Sequence, residues 1–105
     1  MTARERLPAR RAHEALSFVH GGFAYTAGVG RFGDGRIGEV FLSASVKSGT
    51  IIESWARDAA VLASIALQHG ADPETIRKAL TRDERGKAAG PVGELLDLLA
   101  SEAVR

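Results

Sequence analysis

Residues 28–33 read Gly-Val-Gly-Arg-Phe-Gly, which is the glycine spacing of a dinucleotide-binding loop. In such a loop a strand leads through a tight turn into a helix, whose amino end holds the pyrophosphate. Here the flanking residues have strand patterns on both sides, and no helix pattern begins at Gly33. We therefore predict a strand that runs into a turn and then into another strand, without bound NAD. Gly28 and Gly30 would mark a bulge or close packing under a helix.

A second stretch that could bind a ligand is Lys47-Ser48-Gly49-Thr50, which lies directly before a predicted helix. Unpaired amides at a helix amino end attract anions, Gly49 admits a ligand close to the backbone, and Lys47 adds positive charge. The alternative is an ordinary strand-to-helix turn that Thr50 caps. We favour that alternative, because the preceding glycine and the Gly-Lys-Ser/Thr order of a phosphate loop are missing. The four residues are the candidates for an anion or ligand site.

Few residues suggest catalysis or metal binding. The chain has no cysteine, and His13, His20 and His69 lack the spacing of metal ligands. No serine lies in a nucleophile-elbow context, so we expect no catalytic residue, no metal and no cofactor. Arg57, Asp58 and His69 are candidates for a polar network or an interface. The alternatives are a structural salt bridge for the first two and a helix cap for His69.

Basic side chains concentrate in two places. For residues 1–14 we expect a solvated, partly disordered arm, the alternative being an arm that contacts an acidic surface. A second group follows Pro73 and lacks interleaved aromatic residues, which favours a solvated face over a nucleic-acid surface. The arm contains Arg4, Arg6, Arg10 and Arg11, and the second group contains Arg77, Lys78, Arg82, Arg85 and Lys87.

Length and composition set limits on the function. The chain has 105 residues, of which 45% are hydrophobic and 26% charged, and its net charge is +1. Such a length holds one domain with a modest core, and the charge does not force a nucleic-acid or membrane partner. No apolar run approaches the roughly 20 residues that span a bilayer, and no secretory signal is visible. We expect a cytoplasmic protein.

The first half of the chain predicts three antiparallel strands. Gly21-Gly22 is a two-residue hairpin signal, and Asp34-Gly35 marks the next turn. Residues 37–43 are rich in strand formers and predict a third strand, whose edge at residues 37–42 we expect to be open. The second strand places Phe23, Tyr25, Ala27, Val29 and Arg31 on one face.

The second half predicts three helices. Thr50 and Glu53 form a capping box at the start of the first, which ends at His69-Gly70. Asp72-Pro73 begins a short second helix, and Gly90-Pro91 begins the third. We expect the first helix to have an inner apolar face and an outer polar face. The apolar set is Ile52, Trp55, Ala59, Leu62, Ala63 and Ala66, and the polar set is Glu53, Arg57, Ser64 and Gln68.

Strands followed by helices predict an α+β fold, in which a three-stranded antiparallel meander precedes three helices packed on the sheet. This order, with its particular residues, resembles the TSCPD domain over roughly residues 18–99. That domain forms the C-terminal part of adenosylcobalamin-dependent class II ribonucleotide reductases and also occurs as small free-standing proteins. The matching segments are Gly38-Glu39-Val40-Phe41-Leu42, Lys47-Ser48-Gly49-Thr50, Ala56-Arg57-Asp58-Ala59-Ala60, residues 64–70 and residues 74–82.

The chain departs from this family at two points. Val46 stands where the family has a glycine before the lysine, and the cysteines of the reductase versions are absent. The resemblance therefore implies a fold and an association with nucleotide metabolism, without thiol chemistry or reductase activity.

For residues 15–105 we expect one non-catalytic accessory or protein-interaction module that self-associates as a homodimer. A protein of nucleotide metabolism is a further candidate partner. The reason is that the first helix is apolar almost all round after residue 58, as a helix buried on more than one side would be. A monomer completed by a fold-back of residues 7–16 is the other arrangement. The alternative function is a nucleic-acid or nucleotide-phosphate binding module that uses the basic arm and the turn at Lys47–Thr50.

Overall fold

The computed structural model describes residues 3–45 and 50–103. In this part of the chain three strands precede three helices. The strands form one antiparallel sheet in the order β1-β2-β3, which confirms the predicted α+β class and the meander. The elements are β1 (His13–His20), β2 (Phe23–Arg31), β3 (Ile37–Ala44), α1 (Ile51–Gln68), α2 (Pro73–Ala79) and α3 (Pro91–Ala103).

Glycines make the tight turns of the sheet. Gly21 and Gly22 join β1 to β2 with φ angles of 59° and 83°, a region that glycine enters without steric cost. Gly35, with a φ of 93°, serves the turn between β2 and β3. The pairing of β2 with β3 shifts register after Gly30, and the extra residue is Gly38 on β3, so the irregularity lies on the strand opposite Gly30. The G-x-G-x-x-G stretch therefore lies in a strand and a hairpin, where no helix follows to hold a pyrophosphate.

One face of the sheet carries the hydrophobic core. Val29 and Val40, which pair across β2 and β3, are almost completely buried, and so is Leu95 of α3. Alanines of α1 and leucines of α3 cover this face. The side chains of Thr26 and Phe41 belong to the other face of the sheet and are exposed. The sheet thus has one buried face and one face open to a ligand or partner.

The predicted helix boundaries are confirmed. The Thr50 hydroxyl accepts a hydrogen bond from the backbone N–H of Glu53 at 3.3 Å and caps α1. Asp72 accepts from the N–H of Glu74 at 3.4 Å, and Pro73 is the first residue of α2. Gly70 follows α1 with a φ of 97°, the conformation that commonly ends a helix.

Candidate functional site

The sheet-facing side of α1 is built from its smallest residues. Ala56, Ala60 and Ala63 are buried against the core, and α1 packs along β3. Because an alanine projects only a methyl group, the helix backbone lies close to the edge of the sheet. That closeness brings polar side chains of α1 within hydrogen-bonding distance of the β3 backbone.

Two polar side chains of α1 form hydrogen bonds with backbone groups on the outer edge of β3. The Ser64 hydroxyl accepts from the backbone N–H of Val40 at 2.9 Å and lies 3.0 Å from the Val40 carbonyl oxygen. The Gln68 side-chain amide donates to the carbonyl oxygen of Gly38 at 2.9 Å. Both side chains are buried. They take the place of a fourth strand at Gly38 and Val40, so this part of the edge of β3 is not open as predicted.

The predicted faces of α1 are largely wrong, although some assigned residues such as Ala63 lie as predicted. Glu53, Ser64 and Gln68, assigned to an outer polar face, are buried, whereas Trp55 and Leu62, assigned to the inner face, are 71% and 68% exposed. The physical reason is the strand edge. A buried backbone N–H or C=O without a partner costs about 1–3 kcal/mol, and Ser64 and Gln68 avoid that cost by turning inward to the β3 backbone.

Large apolar side chains project from the opposite side of α1. Five of them are exposed to solvent. Arg57 forms an ion pair with Glu53 at 2.8 Å, the spacing of neighbouring side chains four residues apart on a helix. Asp58 is exposed and lies within the apolar stripe. The five side chains, which we call the outer face of α1, are Ile51, Trp55, Val61, Leu62 and Ile65.

A groove of about 690 Å³ continues this surface onto the open face of the sheet. Val61 and Ile65 form its helical wall, and Phe41 of β3 forms part of its floor. Gly28 lies between Phe41 and the ring of His13, since a Cβ there would lie 3.2–3.3 Å from both side chains. Gly28 therefore packs on the open face of the sheet and not under a helix.

The amino-terminal arm runs across the end of α1. Arg4 donates to the Gln68 side-chain oxygen at 2.6 Å, and the Glu5 N–H donates to the Gln68 carbonyl oxygen at 2.6 Å. Arg11 pairs with Glu39, whose buried carboxylate occupies the space that a side chain at residue 30 would fill. The sequence pattern contained no signal for these partners, because they lie far away along the chain. Arg6 and Arg10 are exposed.

Two arginines of the second basic group bind a carboxylate in α3. Arg82 donates to both oxygens of Asp97, at 2.8 Å and 2.9 Å, and Arg77 donates to Asp97 at 2.9 Å. The guanidinium of Arg82, with that of Arg77, lowers the pKa of Asp97 to about 2. The prediction of a solvated face is wrong for these two residues. Lys78, Arg85 and Lys87 of the same group are exposed.

The predicted anion site falls largely outside the described residues. Lys47, Ser48 and Gly49 are not among them, and Thr50 acts as the helix cap described above. An anion site at this turn therefore stays a prediction.

The histidines lie in separate places. The His20 ring contacts Glu94 at 3.2 Å and the Ala89 carbonyl at 3.1 Å, whereas His13 lines the groove and the backbone of His69 caps α1. Within residues 3–45 and 50–103, no group of three or more histidine, aspartate or glutamate side chains is placed to hold a metal ion.

No helix among the described residues is long and apolar enough to cross a membrane.

Curated proteins that are similar to this chain include two ribonucleotide reductases. A vitamin B12-dependent ribonucleotide reductase of Bradyrhizobium diazoefficiens is 34% identical over 92 residues, which is 88% of this chain and 7% of that protein. A protein of the same name from Agrobacterium fabrum is 36% identical over 78 residues, which is 74% of this chain and 6% of that protein. The chain thus spans only a small part of these relatives. No solved structure matches significantly.

The model of the TSCPD domain family matches residues 3–102. The match includes the arm from Ala3 onward, all of the sheet, α1, α2 and all but the last residue of α3. Because the family model covers nearly the whole chain, and both reductases align with most of it, the chain belongs to the TSCPD domain family.

Proposed function

We propose that this protein is a non-catalytic interaction module of the TSCPD family that self-associates through the outer face of α1. The observation that carries the proposal is the orientation of α1. Ala56, Ala60 and Ala63 face the core, while Trp55 and Leu62 extend into water. A helix on the surface of a monomer normally has the reverse distribution, and a contiguous exposed apolar patch is typical of an interaction site.

The amino-terminal arm does not cover this surface. Leu7 approaches Gly38, next to Phe32, and Arg4 contacts Gln68 at the last turn of α1. These contacts lie at the carboxyl end of the helix, whereas Trp55 and Leu62 are exposed nearer its start and middle. A fold-back arm is therefore compatible with self-association and does not replace it.

Nucleic-acid or nucleotide-phosphate binding is the less favoured function. In the arm, Arg11 already pairs with the carboxylate of Glu39 and Arg4 binds Gln68, which leaves Arg6 and Arg10 as the exposed arginines that could contact phosphates. Phosphate-driven binding weakens steeply as salt rises, whereas an apolar protein contact does not. Titration of a fluorescent oligonucleotide at low and moderate salt tests this alternative.

A role in nucleotide metabolism is part of the proposal, because both relatives are named ribonucleotide reductases. We propose an accessory role in that context, in the cytoplasm, with no radical chemistry performed by this chain. Fractionation of producing cells tests the compartment.

The self-association test uses a matched pair of substitutions. Leu62 and Val19 are both 68% exposed, but Leu62 lies on the outer face of α1 and Val19 lies on β1. We expect the wild type to exceed the 11.1 kDa monomer mass in sedimentation at micromolar concentration. Leu62→Glu should restore the monomer, and Val19→Glu should not. A wild type that remains monomeric on concentration contradicts the proposal.

A further inference from the structure

The exposed stripe of α1 has a spacing suited to packing against one more helix. Ile51, Trp55, Asp58, Leu62 and Ile65 follow one another at intervals of four, three, four and three residues. This alternation keeps side chains in one narrow line, as in pairs of helices whose side chains interlock. Four of the five are apolar and exposed, and only Asp58 interrupts the line.

We infer that the stripe is the contact with a second copy of the chain, and that the two α1 helices pack antiparallel about a two-fold axis near residue 60. The inference rests on the self-association proposed above and adds its geometry. A two-fold contact uses the same surface on both copies and closes the assembly at a dimer.

The exposed area is adequate for such a dimer. The five side chains of the outer face of α1 are between 40% and 71% exposed. Large apolar side chains present on the order of 150–200 Å² each when fully accessible, so about 500 Å² remains in water on each copy. A two-fold contact removes this area from both copies, about 1,000 Å² in total, which reaches the lower end of specific interfaces. We expect a dimer of micromolar affinity rather than a permanent one.

Asp58 determines the direction of the helices. In a parallel pair in register, each Asp58 would face its own copy, and two carboxylates would meet within an apolar contact. An antiparallel pair centred on residue 58 would also bring the carboxylates together. With the axis near residue 60, each Asp58 instead faces Leu62 of the partner, and the carboxylates are separated by about 6 Å along the helix direction. The antiparallel pair also sets each helix amino end beside the other's carboxyl end, which the helix dipoles favour.

Cysteine cross-linking tests the direction, because the chain has no cysteine of its own. With the axis near residue 60, Trp55 of one copy faces Ile65 of the other. A mixture of Trp55→Cys chains and mass-tagged Ile65→Cys chains should therefore form a mixed disulfide on mild oxidation. Neither variant alone should cross-link, because two copies of position 55 lie about 15 Å apart along the helices and a disulfide needs less than about 7 Å.

The control is Arg85→Cys, which places a cysteine at an exposed position in the loop before α3. Its self-cross-linking measures how often disulfides form by random collision. Self-cross-linking of Trp55→Cys beyond this control would indicate parallel helices and overturn the inference. If the wild type self-associates but the mixture gives no disulfide, the proposed function stands and this geometry is wrong. A monomeric wild type overturns both.

Substitution of Asp58 gives a second measurement, which does not depend on cysteine chemistry. In the antiparallel contact the carboxylate loses water against Leu62 and Ile65, so removing its charge should strengthen the dimer. We expect Asp58→Asn to lower the dimer dissociation constant by about tenfold. An unchanged or weaker dimer, measured by sedimentation equilibrium on a variant with the wild-type melting temperature, would place Asp58 outside the contact.

Discussion

Replacing Asp97 by asparagine should remove one of the main polar links between α3 and the preceding helix and loop. Asp97 accepts three hydrogen bonds from Arg77 and Arg82, and its side chain is 26% exposed. Asparagine keeps the shape, but it offers one acceptor oxygen and turns an NH₂ group toward a guanidinium. The substitution therefore tests the charge and not the packing.

The size of the effect follows from the pKa of Asp97, which is lowered from 3.8 to about 2 mainly by Arg82. A difference of that size between the folded and unfolded chain corresponds to about 2 kcal/mol of stability. Because the pKa is lower in the folded state, this stabilisation is fully present above about pH 4. It disappears as the pH falls through the folded pKa near 2.

Urea denaturation from pH 7 down to pH 2 measures this difference. Asp97→Asn should lower the free energy of unfolding by about 2 kcal/mol at pH 7, and the gap from wild type should close toward pH 2. The matched control is Asp34→Asn, since Asp34 forms an exposed ion pair with Arg36, whose loss should leave the free energy of unfolding almost unchanged at every pH. A gap that is absent at pH 7, or constant with pH, would refute the electrostatic reasoning.

Three further substitutions test the packing of α1 and the sheet, each by denaturant unfolding. Ser64→Ala should cost about 1–3 kcal/mol, because the buried N–H of Val40 loses its acceptor; an unchanged stability would mean that water replaces the hydroxyl. Thr50→Ala should cost about 0.5–2 kcal/mol through loss of the cap, and no loss would mean that α1 begins elsewhere. Gly30→Ala should destabilise by about 1–3 kcal/mol, because the new methyl group overlaps Glu39, whereas Gly33→Ala has open space and should be nearly neutral. Equal effects at the two glycines would contradict the close packing at residue 30.

The sequence by itself determined the features that depend on neighbours along the chain. Gly21-Gly22 identified the first hairpin, Thr50 and Asp72 identified helix starts, and Gly70 identified a helix end. Each of these depends on backbone conformation or on hydrogen bonds within a few residues, so residue type and spacing are sufficient. The same local rules exclude a dinucleotide loop at residues 28–33.

Only the tertiary structure decided which side of α1 faces the sheet. By composition, Trp55 and Leu62 belong inside, but the edge of β3 requires hydrogen-bond partners, and Ser64 and Gln68 supply them. Likewise, Asp97 meets Arg82 only because α3 lies against the loop after α2. Such choices depend on the cost of leaving buried polar groups unpaired at sites far apart in the chain. Hydrophobic periodicity does not contain that information, so the exposed apolar stripe of α1 became visible only in the folded molecule.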